Sequence, residues 1–190
     1  MVRLEIRWHG RGGQGAVTAA IIVAEAAIFE GKYAQAYPEF GAERRGAPVR
    51  AYTRLSDSYI YTRAPITRPD VVVVLDPSLG KELYLPGLKE GGVLIMNTKR
   101  SLEEVKKMVE RPDLRIAVVN ATDIALETLK RPIVNTAMVG ALVRVMKELK
   151  LSPSIELESA LHAIQQVFPG KLGEVNAEAA KKAFNSVVVG

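Results

Sequence analysis

Hydrophobic and polar residues change their rhythm several times along this chain. Val2, Leu4, Ile6 and Trp8 alternate with Arg3, Glu5, Arg7 and His9, the period of two that predicts a half-buried strand. Val17, Ala20, Ile21, Ala24, Ala27 and Ile28 then recur at helical spacing, which predicts a helix over 16–30 closed by Gly31. Tyr33 to Tyr37 reads as a second strand. From Pro38 to Pro48 glycine, proline and charge break both periods, so that stretch reads as irregular loop. Alternation resumes at Val49, Ala51, Thr53 and Leu55. Ser56-Asp57-Ser58 separates these from Tyr59 to Thr62, which predicts a β-hairpin between the two runs.

Beyond Pro69 strand and helix patterns alternate. VVVVLD at 71–76 is a continuous apolar run of the kind buried on both faces of a parallel sheet, and GVLIMN at 92–97 and IAVVN at 116–120 match it. Ser101 and Glu104 form a capping box for a helix reaching about Glu110, and a further helix is expected from Thr122 towards Lys130. NTAMVGALVRVMKEL is apolar around much of its circumference and is expected to be buried against the sheet. Ser152 and Pro153 supply N-cap and first-turn chemistry for another helix, and Asn176 is placed to cap a last one. These elements predict an α/β fold: one three-layer α/β/α domain over 1–190 with a mixed, mostly parallel sheet and an inserted β-hairpin.

Gly10-x-Gly12-x-x-Gly15 stands between the first strand and the first helix, the context of a dinucleotide-binding fingerprint. Glycines there let backbone N–H groups approach an anion at the positive end of the helix dipole. A tight turn that needs glycine for steric reasons explains the same residues. The nicotinamide reading is disfavoured, because the second strand ends on Tyr37 and not on the acid that would hold a ribose, and Glu39 lies inside the loop. His9, beside the glycines, reads as a hydrogen-bonded structural histidine, and His162 has no assigned chemistry. Asp76, Asn97 and Asn120 end the parallel strands at the edge where open α/β sheets bind ligands, although such residues also start turns and caps.

Composition narrows the function classes. A chain of 190 residues without cysteine cannot form disulfides, thiolate metal sites or cysteine-held iron–sulfur clusters. The formal charge of +5 comes from lysines and arginines scattered among 21 acids without interleaved aromatics, which argues against nucleic acid. Neither an export signal nor a membrane span is visible, so cytoplasm is the expected compartment. The charged fraction of 25% with few asparagines and glutamines is compatible with a heat-tolerant protein. No nucleophile elbow, paired-histidine helix or clustered ligand set is found, and no catalytic or metal-binding residue is assigned.

The glycine loop, YPEFGAERRGAPVRAYTRL at 37–55, PDVVVVLD at 69–76 and RPIVNTAMVGAL at 131–142 together resemble the gamma subunit of the 2-oxoacid:ferredoxin oxidoreductases, most nearly the pyruvate-oxidising members. The resemblance spans nearly the whole chain. It implies a complex with alpha, beta and delta subunits that converts a 2-oxoacid and coenzyme A to acyl-coenzyme A and carbon dioxide, with ferredoxin as electron acceptor. Thiamine diphosphate and iron–sulfur clusters would then sit on the partner subunits. For this chain it implies a place beside coenzyme A, with Arg11, Gly12, Gly13, Gln14, Gly15, Arg44 and Arg45 as phosphate-contacting candidates. The same loop has a second reading as an inter-subunit contact, with Glu43, Arg44 and Arg45 in an ion-pair network and Tyr37, Pro38 and Phe40 as the anchor. Pyruvate is the expected substrate, with 2-oxoisovalerate or another 2-oxoacid, or an independent nucleotide-binding protein, as alternatives.

Overall fold

The computed structural model describes residues 1–39 and 45–190; Phe40, Glu43 and Arg44 lie outside the described residues. The chain runs β1 (Arg3–Arg11), α1 (Ala16–Phe29), β2 (Tyr33–Pro38), β3 (Pro48–Ser56), β4 (Val71–Val74), α2 (Lys81–Tyr84) and β5 (Val93–Asn97). It continues with α3 (Leu102–Val109), β6 (Arg115–Val119), α4 (Ala121–Leu129), α5 (Asn135–Glu148), α6 (Leu157–Val167), α7 (Lys171–Ser186) and β7 (Val188–Val189). Among the described residues the strands form one seven-stranded sheet in the order β2-β3-β1-β4-β5-β6-β7. β1, β4, β5 and β6 are parallel, whereas β3 and β7 run against their neighbours.

The period of two in each strand sorts side chains onto two faces. Ile6, Trp8, Val71, Val73 and Ile95 point into a core shared with α1, α4, α5, α6 and α7, while Val72, Val74, Leu94, Met96 and Ile116 pack under α3 and Tyr84. At about 25 cal/mol per Å² of apolar surface, these two clusters supply the main drive to fold. Trp8 is fully buried with its indole N–H satisfied: Nε1 donates to Thr53 Oγ1 at 3.0 Å, and that hydroxyl donates to the Ala20 carbonyl. One side-chain chain thus ties β1, β3 and α1 together. The apolar α5 is buried as expected, and the Ser101–Glu104 capping box is formed in both directions.

Three sequence expectations are corrected. The antiparallel partner of β3 is not 59–62, which forms no strand; β3 inserts between β1 and β2 and pairs with both. Alternation gives strand character but does not name the partner, and the edges of two existing strands offer β3 more ladder bonds than a short local return. Ser152 and Pro153 precede the next helix without starting it. α6 begins at Leu157, after an extended passage that delivers Ile155 to the core. Asn176 does not cap the last helix. It lies inside α7, buried, accepting from Thr136 Oγ1 at 2.9 Å and donating to the Leu172 carbonyl at 2.8 Å.

Candidate functional site

β1 carries the chain past its last parallel partner and ends in the glycine loop. Gly15 caps α1 with φ +81°, and a Cβ there would stand 2.4 Å from Asn135 Nδ2, so both backbone conformation and close approach demand glycine. Gly13, φ +93°, faces open space. Opposite the loop, the 45–48 segment returns to it: Gly12 and Arg45 form a parallel bridge, Gly12 N–H donates to the Ala47 carbonyl at 2.9 Å, and Gly46 N–H donates to the Gly12 carbonyl at 3.2 Å. Two motifs some thirty residues apart in sequence are therefore one surface.

Asp76, at the end of β4, organises that surface from below. Its Oδ2 accepts from Gln14 Nε2 at 2.7 Å and faces Arg11 Nε at 3.3 Å, while Oδ1 accepts from Ser78 N–H at 2.8 Å and Ser78 Oγ at 2.6 Å. Burial pushes the Asp76 carboxyl up, but the bonds from Ser78 and Gln14 and the Arg11 charge outweigh it and hold the group below its ordinary range. Gln14 closes the loop on itself, because its Oε1 also accepts from Arg11 N–H at 2.6 Å. Its amide is turned inward to shape the loop. The Arg11 guanidinium reaches Ser78 Oγ and the Gly46 carbonyl, bridging the loop to the 45–48 segment with one edge in solvent. Arg45 is exposed beside it.

Among the described candidates, Arg11, Gly12, Gly13, Gln14, Gly15 and Arg45 meet at this one place. Tyr37 and Pro38 lie away from it on edge strand β2. Tyr37 is engaged within the chain: its hydroxyl donates to the Ala64 carbonyl at 3.0 Å, and its ring packs against Tyr52 and the Arg54 guanidinium. Among the described residues the outward aromatics on that side are Tyr33, Tyr59 and Tyr61. Glu39, no ribose acid, pairs with Arg50 at 2.6 Å.

His9 is structural. Burial first, then the Arg7 and Arg50 charges, lower its pKa to about 3, and the neutral ring nitrogen Nε2 accepts from Arg7 Nε at 2.8 Å. His162 stacks on Phe29 at the far end of α1. Of the strand-end residues, Asp76 belongs to the site, whereas Asn97 braces the β5 end to Thr122 and Asn120 caps α4. Ser78 escaped the sequence reading, although the turn Asp76-Pro77-Ser78 is the signal that marks it. Asn135 escaped it as well, since no local pattern places a residue of α5 against Gly15.

The sequence holds no cysteine to ligate an iron–sulfur cluster, and among the described residues there is no group of three potential metal ligands. No helix among the described residues is long and apolar enough to cross a membrane.

Residues 5–186 match the family model described as pyruvate ferredoxin/flavodoxin oxidoreductase. The chain is 54% identical, over 98% of both chains, to the pyruvate/ketoisovalerate oxidoreductases common subunit gamma of Thermococcus kodakarensis. It is 47% identical to the pyruvate synthase subunit PorC of Methanothermobacter thermautotrophicus, over 97% of this chain and 96% of that one. The crystal structure of the pyruvate oxidoreductase subunit PORC of Thermotoga maritima superposes with a TM-score of 0.85 at 42% identity, covering 100% of this chain and 99% of the other. A family match over almost the full length, relatives of about half identity and a shared fold agree, and the chain belongs to the pyruvate ferredoxin/flavodoxin oxidoreductase family as a gamma-type subunit.

Proposed function

We propose that this chain is the gamma subunit of a cytoplasmic complex, with alpha, beta and delta partners, that oxidatively decarboxylates pyruvate, and that its glycine loop borders the coenzyme A site. The observation that carries the reading is the backbone junction between the glycine loop and the 45–48 segment. It turns two motifs into one cationic lip, with Arg11 braced and Arg45 exposed. Gly13, facing open space, leaves backbone room for a phosphate near the positive end of α1, while Gly12 holds the 45–48 segment and Gly15 starts the helix. Gln14 and Asp76 act on the same ligand indirectly, by fixing the loop.

Thiamine diphosphate and iron–sulfur clusters supply carbanion stabilisation and electron transfer from partner chains when bound there, with ferredoxin receiving the electrons. This chain, lacking cysteine, contributes binding surface and assembly. A second substrate reading has its own support. The Thermococcus relative is named as common to pyruvate and ketoisovalerate oxidoreductases, so one gamma chain serving two 2-oxoacid enzymes is the alternative to pyruvate alone.

Reconstitution tests both. The four-chain complex is expected to turn over pyruvate, and the isolated chain to show none; turnover by the isolated chain would overturn the division of labour. Arg45→Ala in the complex is expected to raise the coenzyme A KM about tenfold with kcat kept, one charge-assisted hydrogen bond being lost. A normal KM with weakened assembly moves Arg45 to the subunit interface.

A further inference from the structure

Tyr59, Tyr61 and Arg63 alternate with Ser58, Ile60 and Thr62 in the rhythm of a strand, yet this segment joins no ladder of the sheet. Bonds from the sheet beneath hold it extended instead. Gln35 Nε2 donates to the Ile60 carbonyl at 3.4 Å, and the Tyr37 hydroxyl and an Arg54 terminal nitrogen both donate to the Ala64 carbonyl, at 3.0 and 2.8 Å. With Ile60 buried, the segment turns its other side outwards. Tyr59 is 57% and Tyr61 82% exposed, their rings 4.7 Å apart, and Tyr33 of β2 stands edge-on to Tyr59 at 6.0 Å. Three of the six tyrosines thus form one exposed ridge. A ridge already pinned in place loses little freedom on contact, and tyrosine and arginine are the residue types that anchor protein interfaces. β2 is also the edge strand, and Tyr33 to Tyr37 carries no charge to turn a neighbouring chain away.

A second observation, independent of exposure, says what covers the ridge. Ser56 of β3 stands in register between Arg3 of β1 and Tyr33 of β2, and Val2 and Asp57 are bonded to each other beside it. At this row lie Arg3 Nε and Ser58 Oγ, the buried side-chain polar atoms that lack a hydrogen-bond partner among the described residues. Such atoms are costly unless something supplies the missing partner. Arg3 otherwise reaches only the Met1 sulfur, and Arg63 is exposed with no ion pair among the described residues. The acid of the segment, Asp57, already accepts from Val2 N–H at 3.0 Å through Oδ1. Two guanidinium groups without carboxylates, set beside bare aromatic rings, are complementary to an acidic surface. We infer that this ridge, at the opposite end of β1 from the glycine loop, is the docking surface for an acidic segment of another subunit of the complex. Tyr33, Tyr59 and Tyr61 are its anchor, and Arg3, Ser58 and Arg63 bond the partner's carboxylates. The occupant is a lasting subunit and not a passing carrier, because the orphaned atoms are built into the strand ends and stay unpaired whenever the surface is bare. The inference rests on membership of a complex and not on the coenzyme A reading.

The reconstituted four-chain complex is the test, since the occupant is one of its chains. Hydrogen exchange at 57–63 and at Tyr33 is expected to slow when the chain enters the complex. Tyr59→Ser combined with Tyr61→Ser is expected to weaken retention of the chain on dilution about tenfold or more, and Arg63→Glu by at least as much. Both variants are expected to keep the parent Tm as free chains, the altered side chains being exposed. Raising salt from about 0.05 to about 0.5 M is expected to loosen the parent complex and to affect the Arg63→Glu complex less. Whatever complex still forms is expected to keep its coenzyme A KM, which separates this surface from the lip. The inference is overturned by unchanged exchange, by retention that both variants leave intact, or by an affinity indifferent to salt. It is equally overturned if the variants spare assembly and raise the ferredoxin KM, a carrier then being the occupant, or if the free chain is a dimer that the tyrosine variants split. A parent chain that enters no complex overturns the subunit reading as well, whereas an intact complex of the variants overturns this inference alone.

Discussion

The two halves of the sheet solve the same problem of burying two faces by opposite means. In the parallel half, β4, β5 and β6 are apolar on both sides and are covered by hydrophobic clusters above and below. In the antiparallel half, β1 and β3 give one apolar face to α1, but the other holds Glu5, Arg7, His9, Tyr52 and Arg54. That face is roofed by irregular chain. Arg54 Nε meets Glu5 at 2.8 Å and its terminal nitrogens reach Gln35 and the Ala64 carbonyl, while an Arg7 terminal nitrogen donates to the Tyr84 and Pro86 carbonyls. The parallel half is held by area and the antiparallel half by directed polar bonds. A directed network fixes backbone position in a way that apolar contact does not, and the glycine loop grows out of the half so fixed.

The largest expected effect tests the apolar half. Leu94→Ala, at a fully buried site, should cost roughly 2–5 kcal/mol in denaturant unfolding, with no dependence on ionic strength or pH. A loss under 1 kcal/mol would mean that this half relaxes far more than its packing implies. In the polar half, Arg54→Met should cost about 3 kcal/mol, the low end for a broken buried pair because the Glu5 side chain keeps 19% exposure. Adding Glu5→Gln should recover part of that cost, whereas nothing comparable rescues Leu94→Ala. Strict additivity of the two changes would deny the network.

His9 supplies the pH signature of the polar half. The folded chain keeps it neutral down to about 3, while the unfolded chain protonates it below about 6.5. The unfolded state therefore binds more protons within that window. Stability should be complete above pH 6.5 and fall as pH drops, by up to about 1.4 kcal/mol per unit. His9→Gln should flatten the slope between pH 6.5 and 4; an unchanged slope would assign it to other groups. The smallest effect lies beside the parallel half. Ser101→Ala removes the α3 capping box and should lower stability by about 1 kcal/mol with the His9 slope intact, as thermal unfolding at two pH values would reveal.

Much of the fold was legible because its signals are local. The VVVV run, the Ser101 box and the apolar α5 each announce their structure within a few residues. At the site, the glycine loop and the RRGAP stretch were both visible, but their hydrogen-bonded union was not, since it depends on β3 lying next to β1. The alternation in β1 was read correctly as a strand, yet its polar positions Arg7 and His9 are buried, because a roof formed by residues sixty to eighty positions away leaves no local trace. Gln14 looked like a donor for a ligand and proved to be the clasp of its own loop, a role that Asp76 defines from another strand.

The sequence by itself determined most of the helices and strands, though not the fate of 59–62 or the start of α6, that no cysteine chemistry is possible, and, through the paired motifs, the family. Those follow from backbone propensity, periodicity and composition, which act between near neighbours. Only the tertiary structure decided that β3 fills the gap between β1 and β2, that charge is buried under one half of the sheet, and that α1 and α5 start at the same point with Asn135 between them. Strand partners and helix meetings are chosen by the burial of whole faces, an energy that belongs to the assembled layers and to no stretch of chain alone.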